Sequence, residues 1–141
     1  MIIDPNDKVY KIRPLIDHLN NKFFNFIEPL GSKFSLDEAM EPYYWHHSMK
    51  QFIREKPIRF GFKFWCLTTP EGYIIKFQTY TGVGDKIPGK TVGSSVTEKL
   101  CLGCIPEGSF IYMDNYFTSL SLMDTLAANI VLHWSNPKLQ N

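Results

Sequence analysis

"FIYMDNYFTS", residues 110–119, decides the reading of this chain. Phe110 to Met113 have the apolar, strand-forming character of a buried strand, and they run straight into Asp114. Thr118 or Ser119 then supplies a helix-start signal. A carboxylate at the end of a buried strand needs a partner for its charge, so Asp114 is either a turn cap or a metal ligand.

The chain has 141 residues, the size of one domain at most. A hydrophobic content of 44% with 15% aromatics is enough for a packed core and argues against disorder. The formal net charge of +1 excludes a chain-wide electrostatic footprint for nucleic acid, so any such surface must be local. No apolar run approaches membrane-spanning length, and "MIIDPNDK" lacks the basic-then-apolar order of a signal peptide. A soluble, intracellular protein with no membrane partner is expected.

Cys66, Cys101 and Cys104 are too few, and odd in number, for a secreted disulfide framework. Cys101-x-x-Cys104 lacks a second Cys/His pair at finger-like spacing. It also falls where a helix should end, beside Gly103, whereas a redox pair belongs at a helix start. The three read as buried, unliganded thiols.

Residues 8–27 carry Val9, Ile12, Leu15, Ile16, Leu19, Phe23, Phe24 and Ile27 at helical spacing, with Pro5 and Asp7 upstream and Pro29 and Gly31 beyond. "FSLDEAM" (34–40) reads as a short strand ending at Asp37. Residues 58–67 alternate, with Ile58, Phe60, Phe62, Phe64 and Cys66 opposite Arg59, Gly61, Lys63 and Trp65. The alternation resumes after "TPEG", so the two runs predict a β-hairpin. A helix is expected near 93–102, with Ser95-x-x-Glu98 as its capping box. Then come the strand 109–114, a helix of about ten residues with Leu120, Met123, Leu126 and Ala127 inward, and the strand "IVLHW" (130–134).

Two motifs compete around the fifth of these segments. Gly84-Asp-Lys-Ile-Pro-Gly89-Lys90-Thr91 fits the letters of a phosphate-binding loop, with Lys90 for terminal phosphates and Thr91 for Mg²⁺. The strand before it, however, is the second arm of a hairpin and so antiparallel to its neighbour. Too little sequence follows for a doubly wound sheet, and Pro88 removes one of the N–H groups that would cradle phosphate. No nucleotide partner is expected. The rival reading pairs Asp37 with Asp114. If their strands lie side by side and parallel, the two carboxylates meet at one rim and repel unless a divalent cation sits between them. Two-metal phosphoryl transfer uses such a pair. A turn cap at each position is the plain alternative, and both stay open on these grounds.

Lys50, Arg54, Lys56, Arg59 and Lys63 set five positive charges against Glu55, with Phe52, Phe60 and Phe62 interleaved. They suit a phosphate-backbone track, or equally an ordinary solvated strand and turn. His46 and His47, beside Trp45, read as surface histidines rather than metal or DNA contacts. His18 and His133 carry no usable signal.

"YKIRPLIDHLNNKF", "FSLDEAMEPYY", "HSMKQFI", "KPIRFGFKFW", "GYIIKFQTYTG" and "IYMDNYFTSLSLMDTL" together resemble the piggyBac transposase domain and its transposable element-derived relatives, over about residues 8–128. The resemblance implies an RNase H-like α/β fold, with a truncated mixed sheet of the DDE/DDD transposase core preceded by one helix. It makes Asp37 and Asp114 the first two acids of a DDD metal triad and implies Mg²⁺ or Mn²⁺ as ancestral cofactor. It also implies DNA as a weak ancestral partner, a full-length transposase or a second copy as others, and a nuclear location. On this reading residues 1–30 form a helical segment, 31–135 a partial catalytic domain and 136–141 a tail.

Departures from the family pattern shape the functional expectation. The family's third aspartate lies farther downstream than Asn141. "YYWHH" (43–47) stands where a Gly-Arg step is usual, "REKP" (54–57) replaces a typical Pro-Lys with Arg54-Glu55, and "HWSNPKLQN" replaces the family's GT-x-R-x-N-R element. The expectation is a transposase fragment, inactive alone and binding at most DNA or a partner. The alternative is an accessory or competitor subunit of an intact transposase.

Overall fold

Asp7 organises the first turns of the chain. Its carboxylate accepts from the Val9 N–H and takes a forked pair of bonds from Arg13, at 3.1 Å from Nε and 2.7 Å from a terminal nitrogen. Burial works against the charged form, but the Arg13 bond is the larger effect and holds the Asp7 carboxyl below its usual range. Helix α1 therefore starts at Arg13 and runs to Phe26, later than the periodicity suggested. The computed structural model describes residues 6–26, 31–82, 86–127 and 130–134, and in the last segment the backbone only. Ile27 and the 1–5 and 135–141 parts of the expected segments lie outside the described residues.

Six strands form one mixed sheet: β1 (Lys33–Pro42), β2 (Gln51–Phe52), β3 (Phe60–Thr68), β4 (Ile74–Thr79), β5 (Ser109–Met113) and β6 (Ile130–Trp134). The expected hairpin is β3–β4, antiparallel, with a register shift at Leu67/Thr68. β3 also pairs antiparallel with β1 from Ser35↔Thr68 to Pro42↔Gly61, and β2 shares the edge of β3 that β4 leaves free. β5 then joins the other edge of β1 in parallel, and β6 joins β5 in parallel. Four antiparallel strands followed by two parallel crossovers through helices give the mixed α/β sheet that the resemblance implied. The helices are α2 (Val92–Cys101) and α3 (Leu120–Ala127).

One face of the sheet carries the main core. Phe34 and Leu36 of β1, Trp65 and Leu67 of β3, and Ile111 and Met113 of β5 pack under Val96 and Leu100 of α2 and Leu122 and Leu126 of α3. The inward stripe of α3 is thus Leu122 and Leu126, while Leu120 and Ala127, both expected inward, are exposed. On the opposite face Val9, Ile16 and Met49 pack with Phe62 and Phe77. There the Asn20 amide donates to the Phe77 carbonyl and accepts from the Phe77 N–H, both at 2.9 Å. A side chain of α1 thus satisfies the free edge of β4 as a neighbouring strand would.

One of the two expected caps moves. Thr91 rather than Ser95 caps α2, accepting from the Ser94 N–H at 3.2 Å. Glu98 is drawn away to Lys90, and Ser95 is occupied with the Thr91 carbonyl and the Ile87 N–H. For α3 the cap is Ser119, one of the two residues expected, since its hydroxyl accepts from the Leu122 N–H at 3.2 Å.

Candidate functional site

Parallel pairing of β1 with β5 aligns Leu36 with Met113, so the next residues along the two strands are Asp37 and Asp114. Adjacent strands lie about 5 Å apart. Asp114 stays extended, with φ −75° and ψ 162°, and alternation therefore directs it to the same face as Asp37, the face that also carries Cys66. Both acids are exposed. Asp37 does not end its strand, as the sequence suggested: β1 continues to Pro42 because β3 stays paired with it as far as Gly61. What ends at Leu36 is the pairing with β5. From Asp37 onward that edge of β1 carries no partner strand among the described residues.

Each acid holds one backbone N–H and keeps its remaining oxygen capacity outward. Asp37 Oδ1 accepts from the Glu38 N–H at 2.8 Å, and Asp114 Oδ1 accepts from the Asn115 N–H at 2.5 Å. Asp114 is therefore also the cap of the short 3-10 helix Asn115–Phe117, so the plain reading and the functional one coexist at this residue. The turn is pinned from beneath. Tyr116 stacks on Trp65 with centroids 5.6 Å apart and planes 17° apart, and Phe117 meets Trp65 edge-on. Gly93 lets α2 approach, since a Cβ there would lie 2.1 Å from the Tyr116 carbonyl oxygen. Ser94 donates to Ser119 at 2.7 Å, and buried Thr97 donates to the Gly93 carbonyl at 2.9 Å. None of Tyr116, Gly93, Ser94 and Thr97 stood out in the sequence. The one available signal was the run of small residues in α2, where a close approach needs them.

Glu38 stands beside Asp37 but projects to the opposite face. Its oxygens lie 3.2 Å from Lys56 and 3.1 Å from Lys63. Burial pushes its carboxyl up, yet the bonds and charges of the two lysines outweigh that and leave it lowered. Among the described residues no group of three or more His, Cys, Asp and Glu side chains converges. The two aspartates are hard oxygen donors on one rim, which fits a Mg²⁺-type ion held by one or two carboxylates with water or phosphate completing its shell.

The five basic residues separate. Lys63 is mostly buried, 4.1 Å over the Trp65 ring and bound to Glu38, and Lys56 shares that carboxylate. Lys50 lies 3.3 Å from the Tyr44 carbonyl and 5.3 Å over the Phe60 ring. Arg54 and Arg59 are exposed in the loop between β2 and β3, closed by the Ile53 N–H bond to the Arg59 carbonyl at 2.9 Å. His47 accepts from the Met49 N–H through Nδ1 and stands edge-on to Phe62, while His46 is exposed.

The residues of the phosphate-loop pattern are committed elsewhere. Lys90 pairs with Glu98 at 2.5 Å, Thr91 caps α2, and the preceding strand is antiparallel to its neighbour. Gly84 lies outside the described residues. Cys101 is buried and Cys104 half-buried, at the end of α2 where Gly103 takes φ 74°.

A family model described as Transposase IS4, of the DDE type, matches residues 3–134. The chain is 43% identical over 132 residues to PiggyBac transposable element-derived protein 3 of Homo sapiens, covering 89% of this chain and 22% of the relative. It is 35% identical over 130 residues to PiggyBac transposable element-derived protein 2 of Homo sapiens, covering 88% and 22%. The chain thus spans about a fifth of the length of these relatives. A solved structure described as a piggyBac transposase synaptic complex with hairpin DNA shares the fold, with a TM-score of 0.84 at 20% identity, over 96% of this chain and 29% of that one.

Proposed function

Because this chain belongs to the Transposase IS4 family, of piggyBac type, we propose that it is part of a metal-dependent DNA-transposase catalytic core in which Asp37 and Asp114 hold a divalent cation. The observation that carries the reading is the register: Leu36 aligns with Met113, and the following residue on each strand is an aspartate. Mg²⁺ or Mn²⁺, when bound, would supply charge stabilisation at a scissile phosphate. The protein's own part is positional. β1 fixes Asp37 through pairing with β3, and the Trp65–Tyr116 stack fixes the turn that presents Asp114.

DNA is the proposed partner, held through Lys50, Arg54 and Arg59, the cations of the basic stretch not engaged by Glu38. The site of action would then be the nucleus. Two carboxylates and water make an incomplete octahedral shell. The 141-residue polypeptide alone should therefore bind a divalent ion weakly and leave DNA uncut.

Mn²⁺ titration followed by NMR tests the metal site. Broadening should centre on Asp37 and Asp114 and disappear in Asp114→Asn; broadening unchanged by that substitution sinks the paired-acid reading. Incubation of plasmid with the protein in Mg²⁺ or Mn²⁺, beside Asp37→Ala, tests the activity. Nicking by the wild type that vanishes in Asp37→Ala would reveal a further ligand and an active polypeptide.

A further inference from the structure

Beyond Asp37, β1 leads over five residues, about 17 Å at strand rise, to a surface that the acids do not account for. Tyr44 and Trp45 are 78% and 73% exposed, and Phe52 and Phe60 are 57% and 49% exposed. These rings, with His46, His47 and Lys50, line one open groove of about 380 Å³. Phe52 and Phe60 lie 4.7 Å apart at 34°, forming a single slab, and Lys50 sits over it. So much exposed apolar area in one place marks an interaction surface.

The charge beside the rings identifies the occupant. A protein interface depletes lysine from its apolar centre, whereas here Lys50 is built into the slab. Arg54 and Arg59 stand in the adjoining loop with no ion pair among the described residues. Exposed rings interleaved with cations are what a nucleic-acid strand needs, with π-faces for bases and positive charge for phosphates. A duplex has little to offer the rings, because its base faces are already stacked on one another.

We propose that the groove lined by Tyr44, Trp45, Phe52 and Phe60 stacks the unpaired bases of single-stranded DNA, with Lys50 on an adjoining phosphate. This deepens the DNA-binding reading and rests on it. Stacking discriminates little among bases, so the groove serves strand state rather than sequence. It stands at the far end of the strand that carries Asp37, where a single-stranded end could be held while a phosphate a few nucleotides farther along lies near the acids.

Fluorescence anisotropy with dye-labelled oligo-thymidylate and with a blunt duplex of equal length tests this on the full chain. The single strand should bind more tightly. Trp45→Ala should weaken it about tenfold and leave duplex affinity unchanged, while Trp45→Phe restores most of the loss. Lys50→Gln should make the salt dependence of single-strand binding shallower by about one unit of slope. Equal binding of both probes, with Trp45→Ala silent on each, overturns the groove and leaves DNA binding standing. Failure of both probes to bind at low salt overturns the DNA reading itself, and the groove with it.

Discussion

The Glu38 carboxylate lies 3.1 Å from the Lys63 ammonium, on the face of β1 that Asp37 does not share. Consecutive strand residues diverge, so Glu38 cannot turn to assist Asp37 while β1 persists. Its work is to neutralise a lysine held over Trp65. Glu38→Gln should cost about 2 kcal/mol at neutral pH, the scale of a lost hydrogen bond to a charged group. The folded carboxyl titrates below its ordinary 4.5. Its stabilising contribution is therefore complete above that value and lost as the pH falls through the folded pKa. Urea titrations of the two proteins should differ at pH 7 and converge in acid; a constant gap would assign the cost to packing alone.

Gly93→Ala should destabilise the fold by roughly 1–3 kcal/mol, the usual range for overpacking. The added methyl meets the Tyr116 carbonyl oxygen, which is backbone and cannot swing aside. Amide shifts of Asn115–Phe117 should move with it, because the turn and the helix cannot both keep their places. A neutral substitution with unmoved shifts would mean that the helix and turn are not so closely packed.

Asn20→Ala removes both bonds to the half-buried Phe77 backbone and should cost about 1–3 kcal/mol, two hydrogen bonds at roughly 0.5–1.5 kcal/mol each. Hydrogen exchange at the Phe77 amide should accelerate more than exchange in β5. Unchanged protection at Phe77 would show that α1 does not close that edge.

Iodoacetamide at pH 8 should modify Cys104 first. Burial, with a smaller push from the Asp37 charge, drives the Cys66 thiol up to about 11, and burial drives Cys101 up to about 12. Only the thiolate reacts, so both should label slowly until the protein unfolds. Peptide mass spectrometry would expose early labelling of Cys101, which would contradict a closed end of α2.

Mg-ATP should give no heat on titration, because Lys90 and Thr91 are engaged by Glu98 and Ser94. Lys90→Ala should lower stability by a few tenths of a kcal/mol to about 1. Micromolar nucleotide binding lost in that variant would restore the phosphate-loop reading.

The hairpin was legible because alternation and a Pro/Gly turn are local signals, and the strand ending at Met113 was legible for the same reason. The facing of Asp37 and Asp114 needed the parallel pairing of β1 with β5, which no local pattern encodes. Thr91 and Ser95 carry equivalent capping chemistry, and the choice fell to Lys90, which takes Glu98 out of the expected box. Lys63 looked like one member of a basic track; its burial follows from Glu38, far away in sequence but near it across the β1–β3 pairing. The clamp of Asn20 on Phe77 was invisible for the same reason, because a helical asparagine gives no sign of what lies beyond its helix.

The parallel seam between β1 and β5 also sets an order of assembly. β3 and β4 pair across a short turn and β1 joins β3 over a moderate loop, whereas Leu36 finds Met113 only after a much longer stretch of chain has closed. Loop-closure entropy makes such a pairing slow. Refolding should therefore protect the β3–β4 amides before those of β5, and the two aspartates should come together only in the last phase.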